Sequence, residues 1–222
     1  MPTLFEESLL EEALAAEGWA LPAGAVAQMA LYAGQLLRWN ARINLTALTQ
    51  PAQVVEKHFV DSLHLMPLLS GSRRLLDLGS GAGFPGAVLA MALPHLEVCL
   101  VEASAKKAAF LRHAAMQCGL GARLQVRQLF ARGQAEAEGL EGFDAVVSRA
   151  LMEVEAFLPL AKNYVPAGGK VLAMLGKADE ALRPRLEALA AAEGCRLAEF
   201  RSFCLRPSGH RRALACFETG GH

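Results

Sequence analysis

Four groups of residues have the types and spacing to do chemistry. The first is Asp77-Leu78-Gly79-Ser80-Gly81-Ala82-Gly83-Phe84-Pro85-Gly86, where an apolar run carrying one acid stops at alternating glycines and then resumes as an apolar stretch. Glycines there permit positive φ and let the main chain approach a ligand with no Cβ in the way, and the helix start beyond them offers free N–H groups. The second is Glu102, which closes the apolar run at 96–101 about twenty residues beyond the loop, the offset at which a carboxylate accepts from ribose hydroxyls. The third is Arg149, directly beyond the expected strand at 143–148 and so at the crevice where open α/β sheets bind ligands. The fourth is Lys57, His58, Asp61 and Ser62 on one expected helix.

Residues 81 to 86 also satisfy Gly-x-Gly-x-x-Gly, a dinucleotide pattern that alone is a weak signal. Asp77, two residues before Gly79, and the alternation Gly79, Gly81, Gly83 favour S-adenosyl-L-methionine over NAD. Together they form the Asp-x-Gly-x-Gly-x-Gly loop of Rossmann-like methyltransferases. That cofactor has no pyrophosphate to cradle; the loop accommodates its amino-acid end, and Phe84-Pro85 is expected to begin a helix whose first N–H is not needed. A further cofactor contact, to adenine, is expected at Ala131-Arg132-Gly133-Gln134, after the third strand. A nicotinamide-dependent oxidoreductase is the alternative enzyme, and a cofactor-binding assembly protein without turnover is the alternative from another class.

Spacings of three and four put His58, Asp61 and Ser62 along one helix face. A hydrolytic triad is rejected, because one straight helix turn cannot place a nucleophile, its base and a separate oxyanion hole around one carbonyl carbon. Two readings stay open for the group: a capping or ion-pair network tying this segment to the main domain, or contact with a substrate base.

Regular elements must position these groups. Apolar residues recur at helical spacing over 3–17 and 24–40, the segment 39–46 carries Asn and Thr in loop and capping chemistry, and Pro51 opens a third helix through about Leu69. From Arg73 onward apolar strands alternate with amphipathic helices, the pattern of a parallel sheet. Strands are expected at 96–101, 124–129, 143–148 and 170–175, with Ser104 capping a helix that Gly119 closes. Two last strands, at 197–205 and 211–217, flank the turn Pro207-Ser208-Gly209-His210 as an antiparallel pair. The expected fold class is therefore α/β: a Rossmann-like class I methyltransferase with a seven-stranded, mostly parallel sheet, a terminal antiparallel hairpin and an N-terminal helical extension. The extension is assigned to residues 1–70 and the S-adenosylmethionine-dependent methyltransferase domain to 71–222.

Composition narrows the classes. A chain of 222 residues that is 53% hydrophobic supports a sizeable core. No stretch reads as a membrane span or secretory leader, and the five cysteines are scattered without metal-ligand spacing, so reduced thiols, a cytoplasmic protein and no metal are expected. Residues 1–70 hold three Lys or Arg against seven acids, and residues 71–222 nineteen against fifteen. A strongly basic nucleic-acid coat is excluded, so RNA binding would come from local patches and depend on salt. Lys106, Lys107, Arg112 and His113 lie mainly off the apolar face of their helix and read as solvated surface.

Four stretches are together far more specific than the glycine loop alone: Trp39-Asn40 with Ile43-Asn44-Leu45-Thr46, His58-Phe59-Val60-Asp61-Ser62, Leu75 through Gly86, and Ser148-Arg149-Ala150. In them the chain resembles the bacterial ribosomal RNA small-subunit methyltransferase G family, also called glucose-inhibited division protein B, and the resemblance covers nearly its whole length. It implies N7-methylation of one guanine in 16S ribosomal RNA, within the small ribosomal subunit or an assembly intermediate. By carry-over, Gly79 and Phe84 match cofactor-binding positions and Arg149 the functional arginine, with Asn44, His58 and Lys177 as substrate-side candidates. Where the family has Ala-Glu after the third strand this chain has Gly133-Gln134. Where it has Leu-Lys-Gly after the fifth, Met174-Leu175-Gly176 leaves Lys177 two positions later.

Overall fold

Two helices come first, α1 (Glu7–Glu17), which starts later than the expected 3–17, and α2 (Ala25–Ile43), which runs three residues beyond the expected 24–40. The computed structural model describes residues 5–149, 151–176 and 179–220. The expected single helix from Pro51 to Leu69 is broken into α3 (Pro51–Val54), a π-helical stretch (Val55–Val60), α4 (Asp61–Leu63) and a 3-10 turn (Met66–Leu69). The physical reason is burial on all sides. Val54, Val55, Phe59, Val60 and Leu63 are buried together with Glu56, His58 and Asp61, so no single stripe of period 3.6 enforces an α-helix. Within the π stretch the Asp61 N–H reaches back five residues to the Glu56 carbonyl.

The remainder alternates β1 (Arg74–Leu78), α5 (Gly86–Ala92), β2 (Glu97–Val101), α6 (Ala105–Gln117), β3 (Leu124–Arg127), α7 (Ala135–Glu138), β4 (Ala145–Arg149), α8 (Val154–Ala161), β5 (Lys170–Leu175), α9 (Leu182–Ala192), β6 (Cys195–Cys204) and β7 (Arg211–Thr219). The sheet order is β3-β2-β1-β4-β5-β7-β6, with β1 to β5 parallel and β7 antiparallel to both β5 and β6. The seven-stranded, mostly parallel sheet and its terminal antiparallel pair are thus as expected. After β1 the chain runs outward to β3 and then returns to β4 on the other side of β1. Their carboxyl ends therefore frame the topological switch point at which such sheets bind ligands.

Several boundaries differ from expectation. α5 opens at Gly86 rather than at Phe84-Pro85, because Asp77 Oδ2 accepts the Gly86 N–H at 2.8 Å and fixes the first turn there. β3 stops at Arg127, and the short α7 beyond it leaves too little apolar pattern to read. Ser104 precedes α6, but its side chain makes no cap; its N–H is donated to Glu102 instead. Arg149 is the last residue of β4 rather than the first beyond it.

The pleat of β1 sends Leu75 to one side and Leu76 and Leu78 to the other, and a separate core lies on each face. One gathers Met29, Tyr32, Leu36, Phe59, Leu63, Val88 and Phe110, so α2, the 51–69 segment, α5 and α6 share it with the sheet. The other holds Val146, Phe157, Tyr164, Val171 and Phe217 beneath α8 and α9. Each such side chain contributes about 1.5–3 kcal/mol on burial. Among the described residues no helix is long and apolar enough to cross a membrane.

Candidate functional site

Two clefts open at the switch point, and Arg149 lines both. The first, of about 290 Å³, runs from Gly79, Gly81 and Glu102 to an apolar wall of Leu129, Phe130, Ala131, Leu151 and Met152, with Lys107 at its rim. The second, of about 410 Å³, is lined by Lys57, His58, Asp61, Arg212, Leu175 and Gly176 among others. A depression at the opposite strand ends, beside Arg74, Glu97 and Phe143, holds about 30 Å³, room for one water.

The glycine loop leaves β1 with φ of 70°, 58° and 90° at Gly79, Gly81 and Gly83. The Gly79 and Ser80 N–H groups donate to the Val101 carbonyl at 2.9 and 3.0 Å, tying the loop to the end of β2. Glu102 completes the tie: Oε2 accepts the Gly81 N–H at 2.9 Å and Oε1 the Ser104 N–H at 2.7 Å. Each oxygen keeps a second lone pair, so the carboxylate fixes the loop and retains acceptor capacity toward the cleft it lines. The glycines differ in task. A Cβ on Gly81 has 3.9 Å of clearance, and one on Gly79 would meet the cleft-lining Leu151 side chain at 2.5 Å. A Cβ on Gly83 would lie 2.0 Å from the hydroxyl of fully buried Tyr32, so Gly83 serves packing behind the loop.

Beneath the loop, Asp77 is fully buried, and its Oδ1 has no hydrogen-bond partner among the described residues. Burial pushes its pKa up to about 7, against the opposing pull of the Gly86 N–H and of Arg149.

Arg149 is held from three sides. Nη1 donates to the Lys57 carbonyl at 2.9 Å, Nη2 donates to His58 Nδ1 at 2.9 Å, and Cζ lies 5.3 Å from the centroid of the Phe84 ring. The π-helical stretch makes the first contact available, since Asp61 N–H bonds Glu56 rather than Lys57. Burial, then the neighbouring Arg149 charge, lowers His58 to about 3, so the imidazole is neutral. With Nδ1 accepting from Arg149, Nε2 carries the proton and donates to Thr46 Oγ1 at 2.9 Å. Asn40 fixes Thr46 by two bonds of 2.9 Å, accepting its N–H and donating to its carbonyl. The 39–46 segment thus orients the strand-end guanidinium through Thr46 and His58. On the cleft side, Asp61 Oδ2 stands 3.8 Å from both Arg149 Nη1 and Arg212 Nε. Burial raises Asp61 to about 6, and the two arginines oppose that rise.

The structure brings Gly79, Gly81, Glu102 and Arg149 together around the first cleft, and His58 and Arg149 together at the second. Phe84 lies outside both linings; it is 2% exposed and stacks on His58 at 4.4 Å and 15°. Gly133 and Gln134 also stand outside. The Gly133 N–H donates to the Tyr164 hydroxyl at 2.8 Å and turns the chain into α7, leaving Leu129, Phe130 and Ala131 as the cleft wall. Asn44 is the exposed residue ending α2, with φ of 50°, and lines neither cleft. Lys177 lies outside the described residues, though Leu175 and Gly176 before it line the second cleft. Sequence reasoning missed Arg212, which nothing in its strand marks. It also missed Phe130, whose 70% exposure just past a strand end is not readable from the apolar pattern. Among the described residues no group of three His, Cys, Asp or Glu is placed to hold a metal.

The model of a family described as rRNA small subunit methyltransferase G matches residues 25–206. The chain is 47% identical over 208 residues to a ribosomal RNA small subunit methyltransferase G of an Anaeromyxobacter species, covering 93% of this chain and 94% of that protein. It is 46% identical over 185 residues to the enzyme of that name from Myxococcus xanthus, covering 82% and 83%. In fold it is similar to an O-methyltransferase from Bacillus cereus in complex with SAH, with TM-score 0.63, 20% identity and coverage of 96% and 99%.

Proposed function

Because the chain belongs to the rRNA small subunit methyltransferase G family, we propose that it transfers the methyl group of S-adenosyl-L-methionine to N7 of a guanine in 16S ribosomal RNA. The RNA is carried in the small ribosomal subunit or an assembly intermediate of it, in the cytoplasm. The observation that carries the assignment of roles is the position of Arg149, hydrogen-bonded to Lys57 and His58 at the border of two clefts of different character.

The first cleft fits the cofactor. Its Cβ-free floor at Gly79 and Gly81 suits an amino-acid end, Glu102 offers acceptors for ribose hydroxyls, and Leu129, Phe130, Leu151 and Met152 offer an apolar wall for adenine. Gly83 and Phe84 support that loop from behind. When bound, the cofactor's sulfonium supplies an activated methyl group. The second cleft is then the place for the target nucleotide, with Lys57, Arg149 and Arg212 as donors to phosphate or to guanine O6.

Guanine N7 carries an in-plane lone pair and no proton, so the transfer needs alignment rather than a general base. The residues agree with this: His58, the imidazole nearest the junction, is occupied at both nitrogens and neutral, and it orients Arg149 instead of moving a proton. The test is transfer of tritiated methyl groups to unmethylated small subunits, with the labelled nucleotide mapped. Label on N7 of one guanine of 16S RNA is expected; no label, or label on another atom, overturns the assignment.

A further inference from the structure

The segment from Gly18 to Val55 contains no acidic residue, and neither does α6. These two acid-free pieces pack together. Gln28 Nε2 donates to the Cys118 carbonyl at 3.0 Å, Gln35 Oε1 lies 3.3 Å from His113 Nε2, and the Trp39 ring is 5.2 Å from His113 and 5.8 Å from Phe110. Beside this contact α2 carries Arg38 and Arg42 and α6 carries Lys106 and Arg112, all four exposed.

What separates these four from most of the protein's other cations is that they are unpaired among the described residues. Arg74, Arg123, Arg127, Arg183, Arg185 and Arg196 each bond a carbonyl or a carboxylate, whereas no hydrogen bond or ion pair to a described residue engages the side chains of Arg38, Arg42, Lys106 or Arg112. The acid nearest α6 in sequence, Glu102, spends both oxygens on main-chain N–H groups. The face also joins the two clefts. α6 carries Lys107 at the rim of the first, and α2 leads through the 44–50 loop to Leu48 in the second.

We propose that the α2–α6 face is a docking surface for the RNA phosphate backbone flanking the target nucleotide. This rests on the methyltransferase function proposed for the two clefts and adds to it a binding surface outside both. Exposed cations with no protein partner need shed no ion pair when they meet phosphates, and they release the RNA's condensed counterions on contact. Neither α2 nor α6 adds a carboxylate beside these cations, which avoids the repulsion an acid on either helix would introduce; the nearest acid-bearing element, the start of α1, meets α2 at Gly34 through Phe5. Ion-paired cations elsewhere on the surface lack both properties.

The experiment compares the parent with the quadruple variant R38Q/K106Q/R112Q/R42Q and with a control of equal charge loss drawn from bonded cations, R127Q/R183Q/R185Q/R196Q. Unmethylated small subunits are the probe, and affinity is measured at several salt concentrations alongside methyl transfer and adenosylhomocysteine binding. The quadruple variant is expected to raise KM for subunits tenfold or more and to flatten the slope of log affinity against log salt by roughly 3. Its adenosylhomocysteine affinity and its kcat at saturating subunits are expected to stay within twofold of the parent, which shows that the fold and both clefts are intact. Parental KM and salt slope in the quadruple variant, or an equal loss in the control, overturns the docking surface. A parent that transfers no methyl group to subunits overturns the function on which the surface rests, and with it the surface.

Discussion

His58 offers the sharpest separation of positioning from mere packing. Its Nδ1 accepts from Arg149 and its Nε2 donates to Thr46, so the two ring nitrogens have distinct tasks that two amides can imitate one at a time. In His58→Asn the amide oxygen falls near the place of Nδ1 and preserves an acceptor for the guanidinium. In His58→Gln the longer side chain reaches toward Thr46 and leaves the Arg149 Nη2 donor unmatched. A hydrogen bond to a charged group contributes about 1.5–3 kcal/mol, so its loss at the transfer step corresponds to roughly a ten- to 150-fold fall in rate. Single-turnover methyl transfer at saturating cofactor and subunits is the assay, since it isolates alignment from binding. His58→Gln is expected to show most of that fall and His58→Asn to recover most of it, with both folded and both binding adenosylhomocysteine. Because the imidazole's pKa is lowered to about 3, the parent's rate is also expected to show no inflection from His58 between pH 5.5 and 8.5. Equal rates in the two variants would refute the orienting role, as would a parental rate in His58→Gln.

The same geometry sets three further outcomes. Arg149→Lys keeps one charge but loses the planar fork that reaches Lys57 and His58 together, and single-turnover transfer is expected to fall about tenfold or more. Gly83→Ala combines a φ of 90° with a Cβ 2.0 Å from the Tyr32 hydroxyl, and denaturant unfolding is expected to show a loss of about 2–6 kcal/mol. Asp77 holds its proton up to about pH 7 in the folded protein, whereas the unfolded chain releases it near pH 4. The folded state therefore binds more protons across that window. The stability this contributes is fully present below pH 4 and is lost as pH rises through 7. Asp77→Asn, which retains an acceptor for the Gly86 N–H, is expected to flatten this part of the stability profile in unfolding titrations.

The parts of the site that are legible in the sequence are those where one residue type is nearly forced. Gly79 and Gly81 mark a main chain at positive φ beside a cleft, Glu102 stands at a fixed offset from them, and Arg149 is found by locating the end of a confident apolar strand. β5 is readable to the residue because a Pro-Ala-Gly-Gly turn and a nearly uniform apolar run bound it. The illegible parts depend on contacts between distant segments or on local winding that the apolar pattern does not encode. The π stretch carries buried residues all round and so has no phase to read. The bond from Thr46 to His58 crosses a loop, and the stack of Phe84 on His58 joins separate elements. A strand of four residues at β3 is too short to set the register of the loop beyond it, so the pattern points to Ala131-Arg132-Gly133-Gln134, of which Ala131 lines the cleft together with Leu129 and Phe130 before it.

The shared border of the two clefts has a thermodynamic consequence. If the clefts hold the two ligands proposed above, both meet the one guanidinium of Arg149, and that side chain is where their occupancies would be linked. Linkage of binding free energies is reciprocal. Whatever factor cofactor binding adds to the affinity for RNA, RNA binding must add the same factor to the affinity for cofactor.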